Sequence, residues 1–132
     1  MKGRIKVVPL GGVPPIELGN NSWSRLILTG GTAGTEKAML GYSVFKPGTS
    51  TPQKIHTEEE LAYVLCGCGE ITVGSEAVSY GPGSAIYIPA GVPHGVRNNG
   101  TEDVAMVFVF SYPEYPPTAD APALERNTLC EP

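Results

Sequence analysis

Short runs rich in β-branched and aromatic residues recur along this chain, and each is closed within a few residues by glycine, proline or asparagine. Val, Ile, Tyr and Phe fit a pleated, half-buried surface, while Gly, Pro and Asn supply the backbone angles of tight turns. The runs fall at residues 25–29, 38–45, 61–66, 70–73, 77–80, 85–88 and 104–110, with breaks at 47–48, 67–69, 74–75, 81–83, 89–91 and 98–100. The best helix candidate, residues 57–65, becomes β-rich within one turn and stops at Gly67. Many short strands at close spacing predict an all-β sandwich or closed barrel. The 17 glycines and 13 prolines are scattered without a period, which fits turns and excludes collagen-like or low-complexity chain.

The 132 residues make one domain by length. Residues 9–24 carry Pro, Gly and Asn and are expected to be loop, with Trp23 as an anchor. A barrel core is expected over about residues 25–110, after an N-terminal segment of 1–24. Beyond Phe110, the prolines at 113, 116 and 117 forbid a central strand, because proline lacks the donor. Residues 111–132 are therefore expected as an extended tail lying on the barrel or on a partner subunit.

The net charge is −4 and no Lys/Arg cluster occurs, which argues against a nucleic-acid surface. The basic start is followed by a stretch broken by Gly and Pro, which cannot serve as a continuous apolar leader, and no run is long enough to span a bilayer. These readings give a cytoplasmic protein with no membrane partner. Of the three cysteines, Cys66 and Cys68 form the one close pair. No second Cys/His pair completes a zinc site, so Cys66 is read as a small inward hydrophobe and Cys68 as turn-exposed.

The two histidines, His56 and His94, each lie in a strand–turn segment rich in Gly and Pro, and Glu60 follows His56 by four residues. Imidazole and carboxylate bind Fe, Mn, Ni, Cu or Zn in open sites. On extended chain, residues 54 and 56 share one face and residues 60, 62, 64 and 66 another. A turn at 57–59 lets His56 and Glu60 converge, with His94 arriving from the opposite wall. Taken singly, a histidine in a barrel is more often a satisfied structural residue than a ligand.

With these two segments the chain resembles the cupin superfamily. The first cupin motif, G-x5-H-x-H-x3-E-x6-G, is matched by Gly48, His56, Glu60 and Gly67, and the second, G-x5-P-x-G-x2-H-x3-N, by Gly83, Pro89, Gly91, His94 and Asn98. The likeness spans residues 40–110 and implies a double-stranded β-helix, the cupin jelly-roll barrel. It implies a divalent metal held by His56, Glu60 and His94. Within it, Gly91 and Pro89 shape the turn that aims His94 inward, and residues 98–100 are expected to close a hairpin with positive φ.

One position departs from the family pattern. Lys54 stands where the first-motif histidine belongs, and a protonated lysine cannot ligate. The three donors left have the composition of a two-histidine, one-carboxylate site, which suits non-haem Fe(II); Mn, Ni, Zn and Cu are the alternatives. Lys54 is open to three roles: pairing with an anionic substrate, acting desolvated as base or nucleophile, or snorkelling to solvent. Gln53 is a fallback ligand through a bulge. Catalysis is expected of Lys54 and Glu60, and Glu58 and Glu59 are read as solvated. The expected pocket lining is Tyr42, Val44, Val64, Cys66, Val96, Met106 and Phe108 around Lys54, apolar with a polar metal end.

The resemblance implies a metal-dependent enzyme on a small-molecule substrate, a dioxygenase first. An isomerase, lyase or decarboxylase acting on an oxygenated acid or sugar comes next. A non-catalytic ligand-binding module and a metal-free barrel using Lys54 are the other classes. A homodimer is expected, with Ile55, Tyr63 and Leu65 facing outward.

Overall fold

The computed structural model of the chain describes residues 3–122. Eleven strands follow one another: β1 (Ile16–Gly19), β2 (Ser22–Leu28), β3 (Met39–Phe45), β4 (Lys54–His56), β5 (Glu60–Cys66), β6 (Gly69–Val73), β7 (Glu76–Tyr80), β8 (Ala85–Ile88), β9 (Gly95–Arg97), β10 (Val104–Phe110) and β11 (Thr118–Asp120). One helical turn, α1 (Gly30–Ala33), links β2 to β3. The six strands β1-β2-β3-β10-β5-β8 form one antiparallel sheet, β7-β6-β9 a second, and β11-β4 a two-stranded ribbon. The expected double-stranded β-helix is therefore present.

The core lies between the six-stranded and three-stranded sheets. Met39, Phe45, Val64, Met106, Phe108 and Phe110 from the larger sheet pack with Ile71 and Tyr80 from the smaller. Alternation along β3 decides which side chains reach it. Met39, Gly41, Ser43 and Phe45 are buried, while Leu40, Tyr42 and Val44 are only half-buried on the other face. The pocket assignment of Tyr42 and Val44 is thus corrected by one residue of phase, which flips every side chain to the opposite face. Tyr42 instead stacks on Trp23, ring centroids 6.0 Å apart, and the Arg25 guanidinium lies over the Trp23 ring. Cys66 is also corrected. The β10–β5 register shifts between Ala105 and Met106, so the alternation set by Ala62 and Val64 breaks and Cys66 ends exposed.

The ends are more ordered than the sequence suggested. Residues 9–24 hold a β-hairpin, β1 to β2, turned by Asn20 and Asn21 at φ 52° and 60°. Asparagine tolerates that left-handed backbone, and two such residues make the tight hairpin turn. Residues 98–100, expected to be such a turn, have no positive φ. Asn98 is instead buried, and its amide donates to the Phe45 and Glu102 carbonyls and accepts from Gly100 N–H. The C-terminal segment lies on the barrel as far as it is described. Gly30 N–H donates to the Pro113 carbonyl, Gly31 N–H donates to the Glu114 carboxylate, and β11 pairs with β4. The remainder of the expected tail, from 123 onward, and Cys130 lie outside the described residues.

The outer face of the six-stranded sheet carries Leu61, Tyr63 and Leu65 on β5 and Tyr87 on β8, between 48% and 61% exposed. Leu61 sits opposite Tyr87 in the register, so these side chains form one patch.

Gly67, the last position of the first motif, has φ +86°, and a Cβ there would lie 2.3 Å from the Asp103 carbonyl oxygen. Backbone cannot give way as a side-chain tip can. Gly74 also has positive φ, +61°, but open space around it. Gly67→Ala should therefore cost more than Gly74→Ala. About 3 kcal/mol against about 1 is expected for strain plus clash against strain alone. Urea unfolding of both variants checks this, and equal losses would refute the packing role given to Gly67.

Candidate metal centre

β4 is paired along both edges. On one side His56, Ile55 and Lys54 face Thr118, Ala119 and Asp120 of β11. On the other, Lys54 N–H donates to the His94 carbonyl (2.8 Å) and His94 N–H to the Lys54 carbonyl (3.0 Å). Gly91, at φ +78°, turns the chain before His94, and its N–H donates to the His56 carbonyl at 2.9 Å. Glu60 opens β5 in the other sheet, opposite Phe110 and Ile88. The three sequence-predicted ligands therefore come from separate segments and meet. One ligand atom from each lies within 4.8 Å of the other two.

Outer hydrogen bonds orient the rings. The Thr118 hydroxyl donates to the Pro116 carbonyl (2.8 Å), so it can only accept from His56 Nδ1–H, 2.8 Å away. His56 Nε2 is left as a bare lone pair, 3.8 Å from Glu60 Oε1. His94 Nδ1 donates to the Val92 carbonyl at 2.9 Å, which turns its Nε2 to Glu60 Oε1 at 3.2 Å. Nε2 and carboxylate oxygen are both acceptors, so a proton must sit between them, or a cation in its place. Burial pushes His56 down to about 4, and the charge of His94 adds to that. Burial also works to lower His94, but the hydrogen bonds to Glu60 and Val92 and the Glu60 charge outweigh it and hold His94 above its ordinary value. Two oriented imidazoles and one carboxylate, with His56 and His94 only 5% and 7% exposed, fit a divalent transition metal.

The triad opens into a cavity of about 200 Å³. Val96, Met106 and Phe108 line it as the sequence predicted; Val64 is fully buried in the core but does not reach it. Lys54 lines it too, while its ammonium pairs with exposed Asp120. Gln53 turns away, holding both the N–H and the carbonyl of Gly74. Sequence reasoning missed Ser24, Ser43, Phe110 and Tyr115 in the wall, and Thr118 behind His56. Burial and, second, the Glu60 charge push the Tyr115 phenol up to about 12. For Tyr115 and Thr118 the prolines at 113, 116 and 117 hid the signal, because they marked the segment as tail.

The Cupin domain profile matches residues 41–110, and the chain belongs to that family. An uncharacterised protein of Streptomyces coelicolor is 39% identical over 57% of this chain and 70% of its own length. Polyketide synthase CurC of Streptomyces cyaneus is 31% identical over 76% of this chain and 62% of its own. The chain thus spans about three-fifths of CurC. Among solved structures, the polyketide cyclase RemF from Streptomyces resistomycificus superposes with a TM-score of 0.76 at 26% identity, covering 92% of this chain and 89% of that one.

If a proton occupies the His94–Glu60 contact, a metal must displace it. Zn(II) uptake at pH 6.5 should release about one proton per ion. The release should shrink, and the affinity level off, as the pH rises through the raised value of His94. Calorimetry in buffers of different ionisation enthalpy reads this, with His94→Ala as the variant that binds no ion. In the same titration Thr118→Val should bind about tenfold or more weakly, with Thr118→Ser restoring affinity. Heat independent of buffer, or native affinity in Thr118→Val, would contradict the orientation described.

Proposed function

We propose that this cupin is a metal-dependent enzyme that binds a small, oxygen-rich carbon skeleton at His56, Glu60 and His94 and closes a ring in it, as a polyketide-type cyclase. The observation that carries the reading is an apolar cavity walled by Leu18, Ile71, Ile86, Ile88, Met106 and Phe108 and ending at a donor triad. Such walls favour a carbon skeleton over a small dianion, which would leave most of the cavity unfilled. The likeness to RemF over nearly the whole chain and to CurC supports the same substrate class.

The ring closure balances without an oxidant. A proton leaves the carbon between two carbonyls, and that carbon bonds to a third carbonyl carbon. The carbonyl oxygen takes that proton and becomes a hydroxyl, which leaves as water with the second hydrogen of the attacking carbon as a C=C bond forms. A divalent metal, when bound, supplies Lewis acidity towards paired substrate oxygens. The protein's part is to orient the donors through Thr118 and Val92 and to exclude water with its apolar wall. Tyr115, a protonated phenol at neutral pH, offers a hydrogen-bond donor beside the triad. The Lys54 ammonium is already taken by Asp120 and is assigned no step.

The dioxygenase reading rests on the two-histidine, one-carboxylate composition, which suits Fe(II) and oxygen. Zn(II)-loaded and Fe(II)-loaded protein, each given a linear aryl 1,3,5,7-tetraketone with and without air, separates the two. A cyclase loses water from the substrate under nitrogen with either metal. Turnover confined to Fe(II) in air, with one oxygen consumed per product, would replace the cyclase by a dioxygenase.

We also propose that a second copy covers the patch of Leu61, Tyr63, Leu65 and Tyr87. Their exposed area is on the order of 400 Å², the size at which an apolar patch marks an interaction surface. Light scattering should give twice the chain mass, falling to one in Tyr63→Glu. A monomeric native chain ends that idea.

A further inference from the structure

Ser24 and Ser43 sit opposite each other on β2 and β3, with hydroxyl oxygens 2.7 Å apart, and both line the cavity. Ser43 is only 4% exposed. Inward positions of a barrel wall are ordinarily apolar, because a polar group out of water costs free energy unless it is hydrogen-bonded. Two hydroxyls carry two donors, and their mutual bond uses one. Among the described residues neither oxygen has another partner, so one hydroxyl hydrogen and several lone pairs are unspent.

The pair one step along β2 shows the contrast. Ser22 and Thr49 are also 2.7 Å apart and buried, but Ser22 Oγ accepts from Lys46 N–H and Thr49 Oγ1 from the Asn20 amide. That pair is built into the fold and lines no part of the cavity. The Ser24–Ser43 pair, by contrast, turns spare capacity to the interior.

We propose that Ser24 and Ser43 form a second recognition pole, binding a hydroxyl or carbonyl oxygen at the far end of an elongated substrate. The near end of that substrate lies at His56, Glu60 and His94; the proposal rests on reading this cavity as the substrate site. Register sets the length. Ser43 faces Met106 and Glu60 faces Phe110 on the same strand, β10. Four residues of strand separate the two levels by roughly 13 Å. The wall between is apolar, with Ala62, Ile86 and Phe108. Phe108 lies flat over Gly41, where a Cβ would sit 2.3 Å from the ring, so the missing side chain keeps the ring out of the path. An apolar cavity of about 150 Å³ accepts benzene. One of about 200 Å³ therefore suits one or two rings, or a folded chain of similar bulk, with oxygen at both ends.

The test uses Zn(II)-loaded full chain and two probes that share a chelating end, naphthalene-2,3-diol and naphthalene-2,3,6-triol. The triol adds an oxygen at the far end. Calorimetry should show the triol binding the native protein about five- to tenfold more tightly than the diol, the range of one neutral hydrogen bond. In the Ser24→Ala/Ser43→Ala variant the two probes should bind equally, with diol affinity unchanged. Ser24→Ala alone, at a half-buried position, serves if the double variant does not fold. Diol binding with no preference for the triol, or a preference that survives the alanines, overturns the second pole and leaves the metal-end reading intact. If the native protein binds neither probe, the cavity is not the substrate site, and the proposal falls with that reading.

Discussion

β4 is three residues long and is held along both edges, and the donor triad depends on that grip. Its partners come from far away in sequence: β11 on one side and the His94 segment on the other. Reciprocal backbone bonds between Lys54 and His94 fix the two histidine segments relative to each other, and Gly91 N–H bonded to the His56 carbonyl closes the loop between them. Glu60 belongs to the six-stranded sheet, so the triad joins that sheet to the ribbon. A site assembled this way is buried and polar, which is tolerable only because each ring is satisfied on its outer side, by Thr118 and by Val92.

Much of this was legible before any coordinates. Strands in the interior announced themselves through β-branched and aromatic runs, and the seven runs named from sequence all lie within observed strands or extend them by one residue. The convergence of His56, Glu60 and His94 could be read because both histidines sit at fixed distances from glycines and prolines with backbone duties. Tyr42 and Val44 were placed inward because alternation has two phases, and a run such as 38–45, apolar at nearly every position, does not say which phase is buried. Cys66 was placed by strict alternation and displaced by a bulge. β4, β9 and β11 are three residues each, too short to carry a period. Thr118 was invisible because its job is defined by a partner 62 residues earlier.

The cavity joins two kinds of chemistry along one strand. At the level of Phe110 the wall supplies lone pairs for a cation, and at the level of Met106 it supplies hydroxyls, with apolar surface between. An apolar middle contributes binding without direction, whereas polar ends fix which way a ligand lies. Gly41 belongs to this design as much as the polar residues do. A glycine in mid-strand weakens a sheet, and here its place is taken by the ring of Phe108 lying against the backbone.

Lys54 shows what changes when a family ligand is lost. A histidine there would add a neutral donor; the lysine adds a charge that repels a metal ion nearby. Asp120 answers that charge from the adjacent strand, and with side chains 42% and 81% exposed the pair contributes little to stability. Its effect is one of placement: it holds the ammonium at the cavity edge while the aliphatic stem lines the wall. A divalent ion with Glu60 as its single anionic ligand keeps one unit of positive charge. An ionised substrate oxygen can neutralise that charge, and the missing histidine leaves room for it to approach. With Asp120 in position, the substitution of lysine for histidine alters how many places around the ion are open and leaves the net charge of the site as it was.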